Sequence, residues 1–170
     1  MEKQLLIAME KFAIRPAATS DVATIMDLIR QLAVYEKLEH MITGNDAMMR
    51  EALFGAQPSC QCVIAEEDGK PVGFALYFTT FSTFLCKPGL YLEDLFVIPA
   101  ARGKGYGKQL LKHLAHIAHR RDCGRFEWRV LDWNEPSIRF YKSLGATIMP
   151  EWHLVRMTEV ELAALGEAPS

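Results

Sequence analysis

Two adjacent carboxylates, Glu93 and Asp94, interrupt the apolar run Leu90-Tyr91-Leu92-Glu93-Asp94-Leu95-Phe96-Val97, which otherwise reads as a buried strand. Neighbours on a strand point to opposite faces, so at least one acid meets packed surface unless a bulge turns it toward a cleft. A buried carboxylate without a partner is costly, and it persists where it is paired or has chemistry to do. The chemistry it suits is deprotonation of an alkyl ammonium, whose pKa of about 10.4 keeps the nitrogen from acting as a nucleophile at neutral pH. A carboxylate in an apolar site can have its pKa raised toward the range where it takes that proton, directly or through water. Glu93 is the expected general base, and Asp94 is expected to help hold a cationic substrate.

Directly after that run comes Val97-Ile98-Pro99-Ala100-Ala101-Arg102-Gly103-Lys104-Gly105-Tyr106-Gly107. A strand ends, three glycines alternate with other residues, and an amphipathic helix begins. Glycines let successive N–H groups turn into one concavity, and the helix adds its positive end, so the stretch reads as a pyrophosphate cradle. Arg102, Lys104 and Lys108 add positive charge. Neither GxxxxGK[ST] nor GxGxxG is present, which excludes a P-loop and a dinucleotide fingerprint.

A third group is Trp133-Asn134-Glu135-Pro136-Ser137-Ile138-Arg139-Phe140-Tyr141. Asn134 can cap a helix, Pro136 suits its first turn, and Gly145 can end it. Tyr141, near the C-terminal end, offers a phenol that can protonate a departing thiolate, and it is the expected general acid.

Around these groups the periodicities predict the order β-α-α-β-β-β-α-β-α-β-β. The first strand covers Phe12-Ala13-Ile14-Arg15 and stops at Pro16. Thr19 or Ser20 caps a helix reaching Tyr35, with Ile25, Leu28, Ile29, Leu32 and Ala33 on one face. A second helix is expected over 46–54, then a hairpin of strands 60–66 and 71–78 around Glu67-Asp68-Gly69-Lys70. A strand at 90–98 leads to the cradle and its helix, which buries Leu110, Leu111, Leu114, Ile117 and Ala118. Strand 126–131, helix 135–143 and two closing strands near 146–149 and 153–157 complete the chain.

A length of 170 residues fits one domain over 1–170, with residues 1–11 as an N-terminal extension too short and charged for a secretory leader. Half the residues are apolar and 24% are charged, as in a globular protein; no run of 18 apolar residues exists to cross a membrane. A net charge of −2 speaks against a nucleic-acid partner. Cys60, Cys62, Cys86 and Cys123 lack CxxC spacing and read as free thiols in a reducing cytoplasm. His113, His116 and His119 share a helix face with Lys112 and Arg120, which reads as a solvated surface and not a metal site.

Arg-x-x-Gly-x-Gly at a strand-to-helix junction resembles the acetyl-CoA signature of the GNAT superfamily. With Leu32-Ala33-Val34-Tyr35-Glu36, Leu90-Tyr91-Leu92-Glu93-Asp94 and the Trp133 to Tyr141 stretch, the chain resembles the diamine (spermidine/spermine) N-acetyltransferase group, including its thialysine-acetylating relatives. The resemblance spans about residues 12–157. It implies an α+β fold: a mixed, mostly antiparallel, splayed sheet of about seven strands with helices on both faces. It also implies acetyl-CoA as cosubstrate, no metal, and a homodimer with shared active sites. Carried onto this sequence, Leu95, Phe96 and Val97 offer backbone to pantetheine. Arg102, Gly103, Lys104, Gly105, Tyr106, Gly107 and Lys108 hold the pyrophosphate, and Asn134, Glu135, Pro136, Ser137 and Tyr141 flank CoA. The amine side comprises Tyr35, Glu36, Glu93, Asp94, Glu127, Trp128, Arg129, Glu151 and Trp152.

One departure bears on the substrate. Eukaryotic polyamine acetyltransferases of this group carry an acid and a tryptophan in the loop before the Tyr-Leu-Glu-Asp strand. Here the loop reads Phe81-Ser82-Thr83-Phe84-Leu85-Cys86-Lys87-Pro88, with no acid and an added lysine. A long polycation loses a partner and gains a repeller, which favours a shorter diamine or an amino-acid amine such as thialysine. The expected activity is acetyl transfer to a small primary amine within a ternary complex. The alternatives are a GNAT enzyme acting on a protein or peptide amine, and a CoA-binding regulatory module without catalysis.

Overall fold

A computed structural model describes residues 11–167. All of the expected extension except Lys11 lies outside the described residues. The chain divides into two compact units, the first ending at Arg129 and the second beginning at Val130.

The first unit holds β1 (Phe12–Pro16), α1 (Val22–Glu36), α2 (Asp46–Phe54), β2 (Gln61–Glu67), β3 (Lys70–Ser82), β4 (Lys87–Val97), α3 (Tyr106–Arg120) and β5 (Arg125–Trp128). The strands form one sheet in the order β1-β2-β3-β4-β5. The first three pairings are antiparallel and the last is parallel. β2 and β3 turn through Asp68 and Gly69, both with positive φ, which matches the right-handed twist of a two-residue hairpin.

One sheet face carries Cys62, Ile64, Phe74, Leu76 and Phe96, which pack with Ile25, Leu28 and Leu32 of α1 and Leu53 of α2. Leu95 points the other way, toward Gly107 at the start of α3. α3 buries Leu110, Leu111, Leu114 and Ala118 on that side. Helices therefore cover both faces of a mixed, mostly antiparallel sheet.

α1 starts differently from the expected Thr19 or Ser20 cap. Thr19–Asp21 form a 3-10 turn, and the Asp21 carboxylate accepts from the Ala18 N–H at 2.7 Å. It also pairs with Arg15 at 2.6 Å, and Arg15 in turn reaches Glu66. Asp21 is buried, so this ion network ties β1, β2 and the entry to α1 together. At its other end α1 closes through Lys37 at φ 61°, with Leu38 N–H on Ala33 O; this leaves Tyr35 and Glu36 on the last turn.

The sheet has five strands where about seven were expected. Segments 146–149 and 153–157 carry no strand, and Ile148, Met149, Leu154, Val155 and Met157 are exposed. Alternation fixes which way side chains point, but a strand needs a neighbour to complete its backbone hydrogen bonds, and no ladder partner is present among the described residues. The expected loop 81–88 is shorter than predicted. Phe81, Ser82, Lys87 and Pro88 pair in β3 and β4, leaving 83–86 as the turn. β5 also stops at Trp128 instead of running to residue 131, for a reason that belongs to the site.

The second unit contains α4 (Glu135–Ser143) and α5 (Glu159–Gly166). α5 was not anticipated; its start is fixed by Thr158, whose N–H donates to Glu161 at 2.9 Å.

Candidate active site

The acids at residues 93 and 94 sit where the β3–β4 ladder slips. Leu76 pairs with Asp94 and Tyr77 pairs with Leu92, so Glu93 is the extra residue of a β-bulge. The slip puts Tyr91 and Asp94, three apart in sequence, on one sheet face, because their partners Phe78 and Leu76 are two apart. That is the face of α1. The sequence alone allowed either a buried acid or a bulge, and the bulge is what forms.

Glu93 is exposed and Asp94 is half-buried. Burial first, then the charges of Glu93 and Glu36, push the Asp94 carboxyl up to about 6. Burial likewise raises Glu36 above its ordinary value. Among the described residues no basic side chain lies within ion-pair distance of these three carboxylates. Three acids held close without a cation form a ready receptor for one.

Tyr91 continues the same face. Its ring stacks on Phe78 with centroids 5.0 Å apart, and the Arg129 guanidinium carbon lies 5.6 Å from its centroid. Burial raises the Tyr91 phenol, Arg129 opposes that rise, and Glu93 and Glu127 add to it. Glu127, paired in register with Tyr91, is held by Arg125 at 2.8 Å. Trp128 is in register with Leu92, on the opposite face from Glu127, and its ring tilts against Phe126 at 4.9 Å. The structure thus groups Glu36, Tyr91, Glu93, Asp94, Glu127 and Arg129, and turns Trp128 away from them. Nothing in the sequence sets Tyr91 apart from the other residues of its apolar run; its register with Phe78 is visible only once the bulge is placed.

The bulge also opens the sheet. β4 and β5 pair only from Gly89↔Arg125 to Leu92↔Trp128, so beyond Leu92 the β4 edge toward β5 is left unpaired by the sheet. Leu95, Phe96 and Val97 lie along this edge, which leads into the glycine-rich turn. Gly103 (φ 80°) and Gly105 (φ 84°) adopt left-handed backbone that L side chains rarely take. An added Cβ at either meets nothing within 4 Å, so dihedral angle and not crowding requires glycine, and the concavity is open. Gly105 caps α3 without a side chain, and no acid occupies the first turn. The first amides of a 15-residue helix are offered to an anion there. These features fit the pyrophosphate of a CoA molecule.

Two of the three basic residues of this turn bond within the protein. Lys104 Nζ pairs with Glu67 Oε1 at 2.8 Å, and the Tyr106 hydroxyl bonds the same oxygen while its ring stacks on Phe12 at 4.1 Å. Arg102 donates from Nε to Val97 O at 3.0 Å, and its guanidinium lies 4.8 Å from the Tyr35 ring and 5.4 Å from that of Phe96. Lys108 is exposed. The cradle is therefore mainly backbone, its loop pinned to β1 and β2 by side chains that sequence could not pair across such distances.

In the second unit Asn134 is buried and its Oδ1 accepts from Ser137 N at 3.4 Å, with Glu135 and Pro136 in the first turn of α4. Tyr141 is half-buried in the last turn, its ring 5.5 Å from that of Phe140. Gly145 at φ 89° closes the helix, with Ala146 N–H on Tyr141 O. Glu151 and Trp152 are exposed in a turn. Among the described residues no group of three or more His, Cys, Asp or Glu could hold a metal ion, and no helix is long and apolar enough to cross a membrane.

Known proteins bear on these features. The acetyltransferase (GNAT) family profile matches residues 29–146. A thialysine N-epsilon-acetyltransferase from Mus musculus is 38% identical over 81% of this chain and 85% of its own length. Spermidine/spermine N(1)-acetyltransferase-like protein 1 from Homo sapiens is 36% identical over 91% of this chain and 24% of its own. Among solved structures, an integron cassette protein from the mobile metagenome of V. cholerae superposes with a TM-score of 0.77 at 28% identity, covering 92% of this chain and 98% of that one. The profile covers more than half of the chain and the mouse relative is matched over most of its length, so the chain belongs to the GNAT acetyltransferase family.

Proposed function

We propose that this chain transfers acetyl from acetyl-CoA to a primary amine of a small cationic substrate, directly, within a ternary complex. The observation that carries this reading is the set of three carboxylates that have no basic partner among the described residues, next to an open strand edge that runs into an amide-lined cradle. Bound acetyl-CoA supplies an acetyl thioester that an unprotonated amine can attack. Gly103, Lys104, Gly105, Tyr106, Gly107 and Lys108 hold its pyrophosphate, with Arg102 fixing the turn. The backbone of Leu95, Phe96 and Val97 lines the pantetheine, and Asn134, Glu135, Pro136 and Ser137 flank CoA. Glu36 and Asp94 attract the ammonium, and Glu93 takes its proton. Tyr35, Glu127, Arg129, Glu151 and Trp152 complete the amine side, Trp128 facing away from it, and Tyr141 protonates the leaving thiolate.

Direct transfer is supported by Cys60, the thiol within electrostatic reach of Glu93. Burial raises this thiol, a hydrogen bond with Ser59 opposes the rise and the charge of Glu93 adds to it, so the thiolate that a covalent intermediate needs is disfavoured. We read the 170 residues as one catalytic domain, because the family match at 29–146 crosses the boundary between the two units. On its likeness to the diamine group we read it as a cytoplasmic homodimer.

CoA release measured with acetyl-CoA and a panel of putrescine, spermidine, spermine, lysine, thialysine and a lysine-bearing peptide tests the reading. Turnover is expected with a short amine, and weakly or not at all with spermine or the peptide. A peptide turned over in preference to every small amine overturns it. Tyr141→Phe is expected to lower kcat by about 10- to 100-fold with little change in the acetyl-CoA KM. Unchanged turnover removes Tyr141 from the acid role.

A further inference from the structure

The amine side of the site has a cationic end as well as an acidic one. Arg129 follows directly on β5. The parallel register runs Gly89↔Arg125, Leu90↔Phe126, Tyr91↔Glu127, Leu92↔Trp128, so one more step would set Arg129 opposite Glu93. That ion pair is not made. The ladder ends at Leu92, Glu93 bulges out of register, and the Arg129 guanidinium lies over the Tyr91 ring instead, 5.6 Å from its centroid. The neighbouring acid Glu127 is held by Arg125 at 2.8 Å. Among the described residues no carboxylate lies within ion-pair distance of Arg129, and it is exposed. Tyr91 thus carries a cation over its ring and shares its sheet face with Asp94, and the charges of both Arg129 and Glu93 reach its phenol.

Accepting the acetyltransferase reading above, we propose that Arg129 is a specificity-determining residue that receives the carboxylate of the substrate, selecting an amino acid with a side-chain amine over a diamine or polyamine. Guanidinium matches carboxylate in a planar two-point contact, and attraction to the Tyr91 ring favours the position in which Arg129 is found. A zwitterion lies with its ammonium at Glu36, Glu93 and Asp94 and its carboxylate at Arg129, each charge meeting its opposite. A polyamine meets the same acids but brings a second ammonium toward Arg129, so the residue discriminates by repulsion as well as attraction.

Pairs of substrates that differ only by the carboxylate isolate this contribution: ornithine against putrescine, and lysine against cadaverine. The ratio of kcat/KM within each pair is measured for the wild type, Arg129→Gln and Arg129→Lys, with Tm recorded for each. Wild type is expected to prefer the amino acid. In Arg129→Gln, kcat/KM for the amino acid falls about 10- to 100-fold, mostly in KM, while that for the diamine rises, so the preference collapses. Arg129→Lys is expected to fall between them. An equal fall for both members of a pair identifies a structural role for Arg129 and overturns the proposal. So does a wild type that prefers the diamine with a ratio indifferent to Arg129→Gln; the acetyltransferase reading survives that result. If neither member of either pair is acetylated while acetyl-CoA binds, the small-amine reading fails, and this inference with it.

Discussion

Glu93→Gln is expected to lower kcat by roughly 10²- to 10³-fold, the range removed when a positioned general base is lost. The substrate arrives as an ammonium with a pKa of about 10.4, so at pH 7 only a small fraction is nucleophilic without help. Glu93 is the exposed member of the acid group and the unpaired residue of the bulge, so an amine or a bridging water can reach it. The amide keeps the shape and loses the proton acceptor, so the acetyl-CoA KM is expected to stay near its wild-type value. Raising the pH supplies free amine from solution, and the deficit should narrow steadily toward pH 10. A rate profile taken from pH 6 to 10 in both proteins checks this. A constant deficit at every pH points to a role in binding, and no deficit removes Glu93 from the proton path.

Asp94→Asn is expected to stabilise the protein while impairing it. The Asp94 carboxyl rises from an ordinary value of 3.8 to about 6 in the folded chain, through burial and then its acidic neighbours. Between these values the folded state keeps a proton that the unfolded chain has released. Stability therefore falls as pH rises through about 4 to 6, and the loss is complete above 6. Ionising this carboxyl in the folded chain costs roughly 3 kcal/mol, or about 5–10 °C in Tm for a chain of this size. Thermal unfolding at pH 8 should show Asp94→Asn melting above the wild type, with the gap closing at pH 4. Activity should fall in the same variant if, as proposed, the charge that destabilises the free protein also attracts a substrate ammonium. Wild-type Tm at both pH values would mean that Asp94 ionises without cost.

The parts of this molecule that follow from local chemistry were legible. Asn45 accepts from Met48 N–H and Asn134 from Ser137 N–H, and the two helices that they cap, 46–54 and 135–143, begin and end where the sequence predicted. The Asp68-Gly69 turn and the left-handed glycines of the cradle belong to the same class. The helical spacing of apolar residues also placed the buried faces of α1 and α3. What depended on distant partners was not legible. Nothing near Arg102 indicates that its guanidinium settles on Tyr35, and nothing near Lys104 indicates Glu67. The acids at 93 and 94 were recognisable as unusual in an apolar strand, yet only the register against β3 shows which one bulges. Residues 146–157 alternate well enough to suggest strands, but alternation carries no information about a neighbour.

The cradle is built from main-chain amides, with Lys104 and Arg102 turned to bonds within the protein. A donor that every residue but proline carries is not lost when a side chain changes. Drift at position 104 or 108 alters local charge and leaves the amides in place. The vulnerability is concentrated at Gly103 and Gly105, where any other residue must adopt a left-handed backbone at a cost of roughly 1–2 kcal/mol. On the proposed reading, the donors of this turn survive a change of side chain at 104 or 108, while its backbone is fragile at Gly103 and Gly105.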